Sequence, residues 1–242
     1  ENLGSQLIQV NHPYGSSGFL KHINYDPEKG WQHLEKKYRD NPRLKEFDLI
    51  EVINRRIDNK VIKAFYRLLN DGFTVTGVGN TDIHTLNGAG SVRNMVKTDS
   101  DDPSLFSTSK FWDYLDKSES LIMIGPFITV DFSHNYSAAH RLAAAQENKV
   151  RCRVKVQAPA WMEISSIEVI KNGQLLLLEK IEPVNTETIR FDKEITLPFK
   201  QDGWFLFIVK GNKAMKPLTN LTPHSMTNPF WVDGDGDGKF SP

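Results

Sequence analysis

The sequence predicts an α/β segment followed by an all-β segment. Two observations carry that reading. Residues 1–120 alternate short apolar runs with stretches of helical periodicity, whereas residues 121–242 show apolar–polar alternation broken by turn signals. A chain of 242 residues accommodates two modest units of this kind.

In the first segment, Leu7 to Val10 is a strand candidate and Glu28 to Arg39 a short helix. Phe47 to Ile53 is the second strand. Asp58 to Asn70 is a helix, because Val61, Ile62, Phe65, Leu68 and Leu69 recur at helical spacing and Gly72 stands where a helix ends. Phe73 to Val78 is the third strand. After a polar loop, Phe111, Trp112 and Leu115 mark another amphipathic helix, with Thr108 or Ser109 to cap it. Strands separated by helices imply parallel pairing through crossovers.

In the second segment, Phe127 to Phe132 reads as a strand. Val150 to Val156 alternates strictly, with Cys152, Val154 and Val156 on one face and Arg151, Arg153 and Lys155 on the other. Ile167 to Ile170 and Leu175 to Leu178 flank Asn172-Gly173, a pair suited to the positive φ angles of a tight hairpin turn. Thr188 to Ile195 and Trp204 to Val209 complete the strands, the latter after an Asp202-Gly203 turn. The Ala-rich stretch Ser137 to Gln146 reads as a loop with a helical turn. Together these strands predict a β-sandwich.

Composition excludes several functions. Thirty basic and thirty acidic residues cancel, which leaves no electrostatic footprint for nucleic acid or an anionic membrane. The longest apolar run, Leu121 to Val130, is interrupted by Gly125 and Pro126 and is shorter than the ~20 residues of a membrane helix. The single cysteine, Cys152, excludes an intrachain disulfide and a Cys-rich zinc site, and its pattern is that of a buried structural thiol. The chain opens at Glu1 without methionine or signal peptide, as expected of a processed chain or a fragment.

Chemistry-bearing residues gather at strand ends. His12 follows the first strand, Glu51 lies near the end of the second with Asn54 beyond it, and Asp82 and His84 follow the third. Carboxyl ends of parallel strands share one rim, where α/β proteins bind ligands. Two histidines and two carboxylates there suit a divalent cation. Asp82-Ile83-His84, read as extended, points both side chains the same way. Each residue also has a plain structural reading: His12-Pro13 fits a turn, Asn80-Thr81-Asp82 fits a turn, and Glu51 fits a solvated strand end. Arg93 is a candidate for an anionic substrate group, or a surface arginine before a helix. His22 and His33 read as solvated, and His134, His140 and His224 have no partners at ligand spacing. The tail, Asp233-Gly234-Asp235-Gly236-Asp237-Gly238, matches the opening of a calcium loop but lacks the closing Glu and the flanking helices. Asp233, Asp235 and Asp237 are the candidate calcium ligands, to be completed by other loops, and the alternative is an acidic turn.

Several motifs occur in order: Leu7 to Pro13, Phe47 to Asn54, Gly77 to His84, Arg93-Asn94, Gly125-Pro126-Phe127 and Thr227 to Asp233. In this order they resemble the C-terminal part of a CehA/McbA-type metallohydrolase, a branch of the PHP (polymerase and histidinol phosphatase) superfamily. The resemblance covers nearly the whole chain. It implies a partial, distorted (β/α) barrel with a metal centre at its rim, followed by a β-sandwich. It implies that His12, Asp82 and His84 match metal-ligand motifs for zinc, manganese or iron, that Glu51 matches an acidic ligand or supporting position, and that Arg93 lies near the substrate. The implied chemistry is hydrolysis of an ester, carbamate or phosphoester by metal-activated water. It also implies a periplasmic or extracellular location.

The sequence departs from that pattern in two places. The His-x-Asp-x-His motif that opens such proteins is absent, and three strands do not close a barrel, so the expectation is a chain lacking its N-terminal portion and half of its metal site. Ile124 stands before Gly125 where a polar residue is expected. Two other readings compete: a non-catalytic glycan- or ligand-binding sandwich with a degenerate α/β part, and a calcium-stabilised surface protein.

Overall fold

The computed structural model describes residues 7–84, 88–132, 136–137, 142–182 and 187–241. It is mostly β, with few helices and several sheets.

In the first sheet, strand β2 (Leu49–Asn54) lies between β1 (Gln9–Val10) and β4 (Thr76–Asn80), parallel to both. A short β3 (Arg56–Ile57) turns back antiparallel on the end of β2. Five of the six β2 residues are buried, as befits a central parallel strand covered on both faces. Helix α3 (Asn59–Asn70) connects the β2–β3 hairpin to β4 and buries Val61, Ala64, Phe65, Leu68 and Leu69. Its start is capped by the Asp58 carboxylate, which accepts the Lys60 N–H at 2.8 Å. Its end is closed by Gly72, at φ 87°, whose N–H donates to Leu69 O, while the Phe73 N–H donates to Leu68 O. Phe73 therefore belongs to the helix terminus, and the third strand starts at Thr76 rather than at Phe73.

Other expectations need correction. No single helix covers Glu28 to Arg39. Gly30 at φ 79° breaks it, a 3-10 turn spans Trp31–His33, and only α2 (Lys36–Arg39) is α-helical, after the earlier short α1 (Phe19–His22). The bulkiest buried side chain of this segment is Trp31, whose backbone N–H donates to Asp71 at 2.7 Å. The final helix, α4 (Thr108–Asp116), is capped by Ser107 rather than by Thr108 or Ser109. The polar loop before it contains β5 (Arg93–Val96), so Arg93 begins a strand and does not precede a helix.

The largest sheet crosses both segments. β5 pairs with β6 (Ser120–Ile124), β6 with β15 (His224–Thr227), and β15 with β14 (Gly203–Lys210). β14 also pairs with β16 (Phe230–Asp233) and with β11 (Ser166–Lys171), and β11 forms the expected hairpin with β12 (Gln174–Lys180). The hairpin turn has φ 49° at Asn172 and 82° at Gly173. β16 pairs in parallel with β9 (Leu142–Ala144), and β9 pairs with β8 (Tyr136–Ser137). A strand thus stands within a stretch read as loop, because Leu142 to Ala144 finds a free strand edge on β16 that its own alanine-rich sequence does not announce. Residues 138–141, including His140, lie outside the described residues, as does His134. A three-stranded sheet of β7 (Phe127–Phe132), β10 (Lys149–Gln157) and β13 (Ile189–Pro198) forms the second face of the sandwich. Gly125, at φ 112°, and Pro126 carry the chain from β6 in one sheet to β7 in the other.

Cys152, Val154 and Val156 are buried with Phe191, Ile195 and Leu197 as the alternation requires, and burial pushes the Cys152 thiol up to about 12. Phe132 meets Phe230 at 5.2 Å and Phe205 at 6.3 Å across the sandwich. The opposite face of the large sheet is covered by α3: Trp204 Nε1 donates to Asn70 Oδ1 at 2.8 Å and its ring lies 5.5 Å from Tyr66. With sheet on one face and helix on the other, seven of the eight β14 residues are buried. No helix among the described residues is long and apolar enough to cross a membrane.

His224 is buried on β15, and its Nε2 has no partner among the described residues. Burial, aided by the Lys210 ammonium, pushes its pKa down from 6.5 to about 4. The folded state holds the ring neutral, so its contribution is complete above the unfolded value of 6.5 and is lost as pH falls towards about 4. Urea unfolding across this window is expected to show a loss on the order of 3 kcal/mol that His224→Gln removes. Identical pH slopes for the two proteins would refute this assignment.

Candidate functional site

The carboxyl ends of β1, β2 and β4 share one rim, and the sequence places His12, Glu51, Asn54, Asn80 and Asp82 there. Glu51 is only 2 % exposed, and a buried carboxylate requires hydrogen-bond donors. It has them. Oε2 accepts the His12 backbone N–H at 2.6 Å and Asn54 Nδ2 at 3.0 Å, and Oε1 accepts Asn80 Nδ2 at 2.8 Å. Donors at or just past the ends of all three strands therefore converge on one carboxylate. The β2–β4 register shifts between Glu51 and Ile53, an irregularity of the kind that re-aims side chains beside sites.

The His12 ring is half-exposed. Its Nδ1 lies 2.9 Å from Glu51 Oε2 and 2.6 Å from Asn54 Nδ2, and its Nε2 lies 3.8 Å from Asp82 Oδ1. Both His12 and Asp82 have φ 45°, in the left-handed region. That conformation overturns the extended reading of Asp82-Ile83-His84. The chain turns at Asp82, and His84 Nδ1 lies 3.0 Å from the Asp82 carbonyl oxygen, folded back on its own loop. A cleft of about 250 Å³ opens over the rim, and His12, Tyr14, Glu51, Asn54, Arg56 and Asp82 are among its lining residues. Arg93 is not; its Nη1 donates to Gly90 O at 2.9 Å. Arg56, which the sequence reading passed over, is in the cleft because β3 folds back on β2 directly opposite Asn54.

A second acidic cluster forms at the tail. Asp202, Asp233 and Asp235 each offer a carboxylate oxygen within 4.8 Å of the others. Asp202 was legible only as a turn residue. Gly203 pairs with Val232 across β14 and β16, and that antiparallel register sets Asp202 beside Asp233. Asp233 is buried and accepts the N–H groups of Gly236 at 2.7 Å and Gly238 at 2.9 Å. Asp202 accepts those of Gly234 at 2.8 Å and Ser241 at 2.6 Å. Asp237 stands outside the cluster and accepts the Lys239 N–H at 2.8 Å.

Glu51→Gln tests the rim. The amide would present an NH₂ to a pocket that holds only donors, leaving buried groups unsatisfied. A loss of about 1–3 kcal/mol in denaturant unfolding is expected. Unchanged stability would show that the rim does not depend on this carboxylate.

No family model matches the chain, and no curated protein matches it. Among solved structures, the CARDB domain of a Pyrococcus furiosus protein, determined by solution NMR, is similar at 11% identity and TM-score 0.30, covering 46% of this chain and 97% of that one. A crystal structure of the same domain in complex with di-metal ions is similar at 12% identity and TM-score 0.29, covering 45% of this chain and 89% of that one.

Proposed function

We propose that the rim cleft belongs to a metal-dependent hydrolase of PHP type, acting on ester, carbamate or phosphoester bonds with metal-activated water. One observation carries this reading: His12 Nε2 and Asp82 Oδ1 face each other at 3.8 Å while Glu51 sits 2.9 Å from the other nitrogen of the same ring. Two metal bonds of about 2.0–2.2 Å span that gap. A carboxylate on the far nitrogen of a ligating histidine fixes its tautomer and raises its basicity. His12 and Asp82 are thus the ligands, and Glu51 is the residue that orients His12. His84 is a third candidate donor through Nε2, since Nδ1 lies against the Asp82 carbonyl oxygen. On this reading further donors complete the centre, as the resemblance to a family with an additional His-x-Asp-x-His motif implies.

When bound, a zinc, manganese or iron ion would supply an acidified water and polarise the scissile group. The chain's own part is positional. Glu51 holds the His12 ring through Nδ1, Asn54 Nδ2 donates to the same Glu51 oxygen, and Asn80 ties Glu51 to the strand that delivers Asp82. Zinc and manganese titrations followed by calorimetry test the assignment. His12→Ala and Asp82→Ala are each expected to weaken binding at least tenfold and to abolish any ester or phosphoester hydrolysis. Undiminished metal affinity in both variants would sink the reading.

A second, independent proposal concerns the tail: Asp202, Asp233 and Asp235 hold calcium, which favours oxygen ligands. The close approach of three carboxylates supports it. Calcium at a hundred times its dissociation constant is expected to stabilise the fold by about 2.7 kcal/mol. The corresponding rise in melting temperature should vanish in Asp235→Asn. A wild-type melting temperature indifferent to calcium would refute it.

A further inference from the structure

Among the described residues, Arg56 stands in the rim cleft without a hydrogen-bond or ion-pair partner. It lines the cleft with His12 and Asp82. Among the described residues its guanidinium makes no ion pair or hydrogen bond. Its position is nonetheless fixed. Arg56 pairs with Asn54 across the β2–β3 hairpin, and directly opposed residues of an antiparallel pair present side chains on the same face. Arg55 makes the turn at φ 53°, and its N–H donates to Asn80 O at 3.0 Å, which ties the hairpin to the end of β4. Arg56 is therefore mounted beside Asn54, whose Nδ2 donates to the Glu51 carboxylate at the rim.

The surrounding charges leave this guanidinium available. Asp58 also lines the cleft, but its Oδ1 is engaged in capping α3. Glu51 is occupied by donors from three strands, and Asp82 faces His12. Lys60 is held over the Tyr14 ring, 4.0 Å from its centroid, and so adds a second cation beside the cleft. An unpaired, exposed guanidinium at the edge of a cleft is a fork of donors that matches a planar or tetrahedral oxyanion in bidentate fashion.

We propose that Arg56 is the anion-binding residue of this cleft, so that the molecule taken there carries a phosphate or carboxylate group. This inference rests on the proposed hydrolytic reading and names its substrate class. It assigns the substrate arginine to Arg56 instead of Arg93.

The test uses the chain with and without manganese, with inorganic phosphate and acetate as probes. Manganese binding is measured first, so that failure of the metal reading registers separately. Wild-type protein is expected to bind phosphate, Arg56→Ala to lose at least tenfold in phosphate affinity, and Arg56→Lys to fall between them. Arg93→Ala should match wild type. Manganese affinity should not fall and melting temperature should be unchanged in Arg56→Ala, which a merely structural role would not allow. Acetate binding with the same Arg56 dependence would support the carboxylate form of the proposal, and a phosphate-only response the phosphate form. Phosphate affinity equal in wild type and Arg56→Ala, or no oxyanion binding by wild type, would overturn it. If manganese fails to bind while phosphate binding still depends on Arg56, the hydrolase reading falls and the anion site stands.

Discussion

Two side-chain amides join the parallel sheet to the rest of the molecule. Among the described residues, the second edge of β4 pairs with no further strand. Instead Gly77 donates its N–H to Asn228 Oδ1 at 2.7 Å and accepts from Asn228 Nδ2 at 3.0 Å. Two residues on, Gly79 makes the same exchange with Asn94, at 2.8 and 3.0 Å. An asparagine amide carries the donor and acceptor of a peptide group, so each side chain satisfies the strand edge as a neighbouring strand would. The glycines make the approach possible. A Cβ on Gly77 would stand 2.9 Å from Val52 Cγ2, and one on Gly79 would stand 2.6 Å from Ile122 Cγ2. Asn228 is fully buried and also donates to Ser120, while Asn94 lies on β5, so both joints lead into the large sheet.

The rim depends on this joint. β4 ends at Asn80, whose amide completes the donor set of Glu51, and two residues later the chain turns to present Asp82 towards His12. Glu51 in turn gathers His12 and Asn54. A buried carboxylate with too few donors would carry a large desolvation penalty, so the three strand ends are coupled: none can shift without stranding a donor or an acceptor. The same logic explains why the segment before β2 can be irregular. Its stability comes from Trp31, packed 4.9 Å from Phe73 and held by Asp71, and not from helix periodicity.

Periodic segments were legible in the sequence and junctions were not. The α3 stripe, the alternation around Cys152 and the Asn172-Gly173 turn are local signals, and each appears where the residues place it. The strand-end rule also brought His12, Glu51 and Asp82 to one rim, because parallel strands align their carboxyl ends. The β9 strand escaped notice because its pairing partner, β16, lies far along the chain. Arg56 escaped notice because a two-residue strand has no periodicity, and Asp202 because only the β14–β16 register sets it beside Asp233. The extended reading of Asp82-Ile83-His84 gives way for a torsional reason: a positive φ at Asp82 destroys the alternation it assumes. The compositional change near residue 120 is real, but β5 and β6 join the large sheet, and α3 covers β14, so the two segments share one core.

A net charge of zero conceals two acidic concentrations with different internal compensation. Two unit charges about 4 Å apart at an effective dielectric of about 20 interact by about 4 kcal/mol, so clustered carboxylates need offsetting groups. At the tail, backbone N–H groups of the glycine-rich loop supply part of that offset, and they come from residues that glycine alone places easily, at φ 83° for Gly236 and Gly238. At the rim, neutral N–H donors stabilise the Glu51 carboxylate, and Asp82 and Asp58 share the cleft lining with Arg56. Without a cation the two carboxylates partly cancel the attraction of Arg56 for an oxyanion. A divalent ion between His12 and Asp82 would offset the excess negative charge of the cleft lining and leave Arg56 without a partner among the described residues. On the reading proposed above, metal and anion binding therefore reinforce each other through charge alone, with no movement of the strands required.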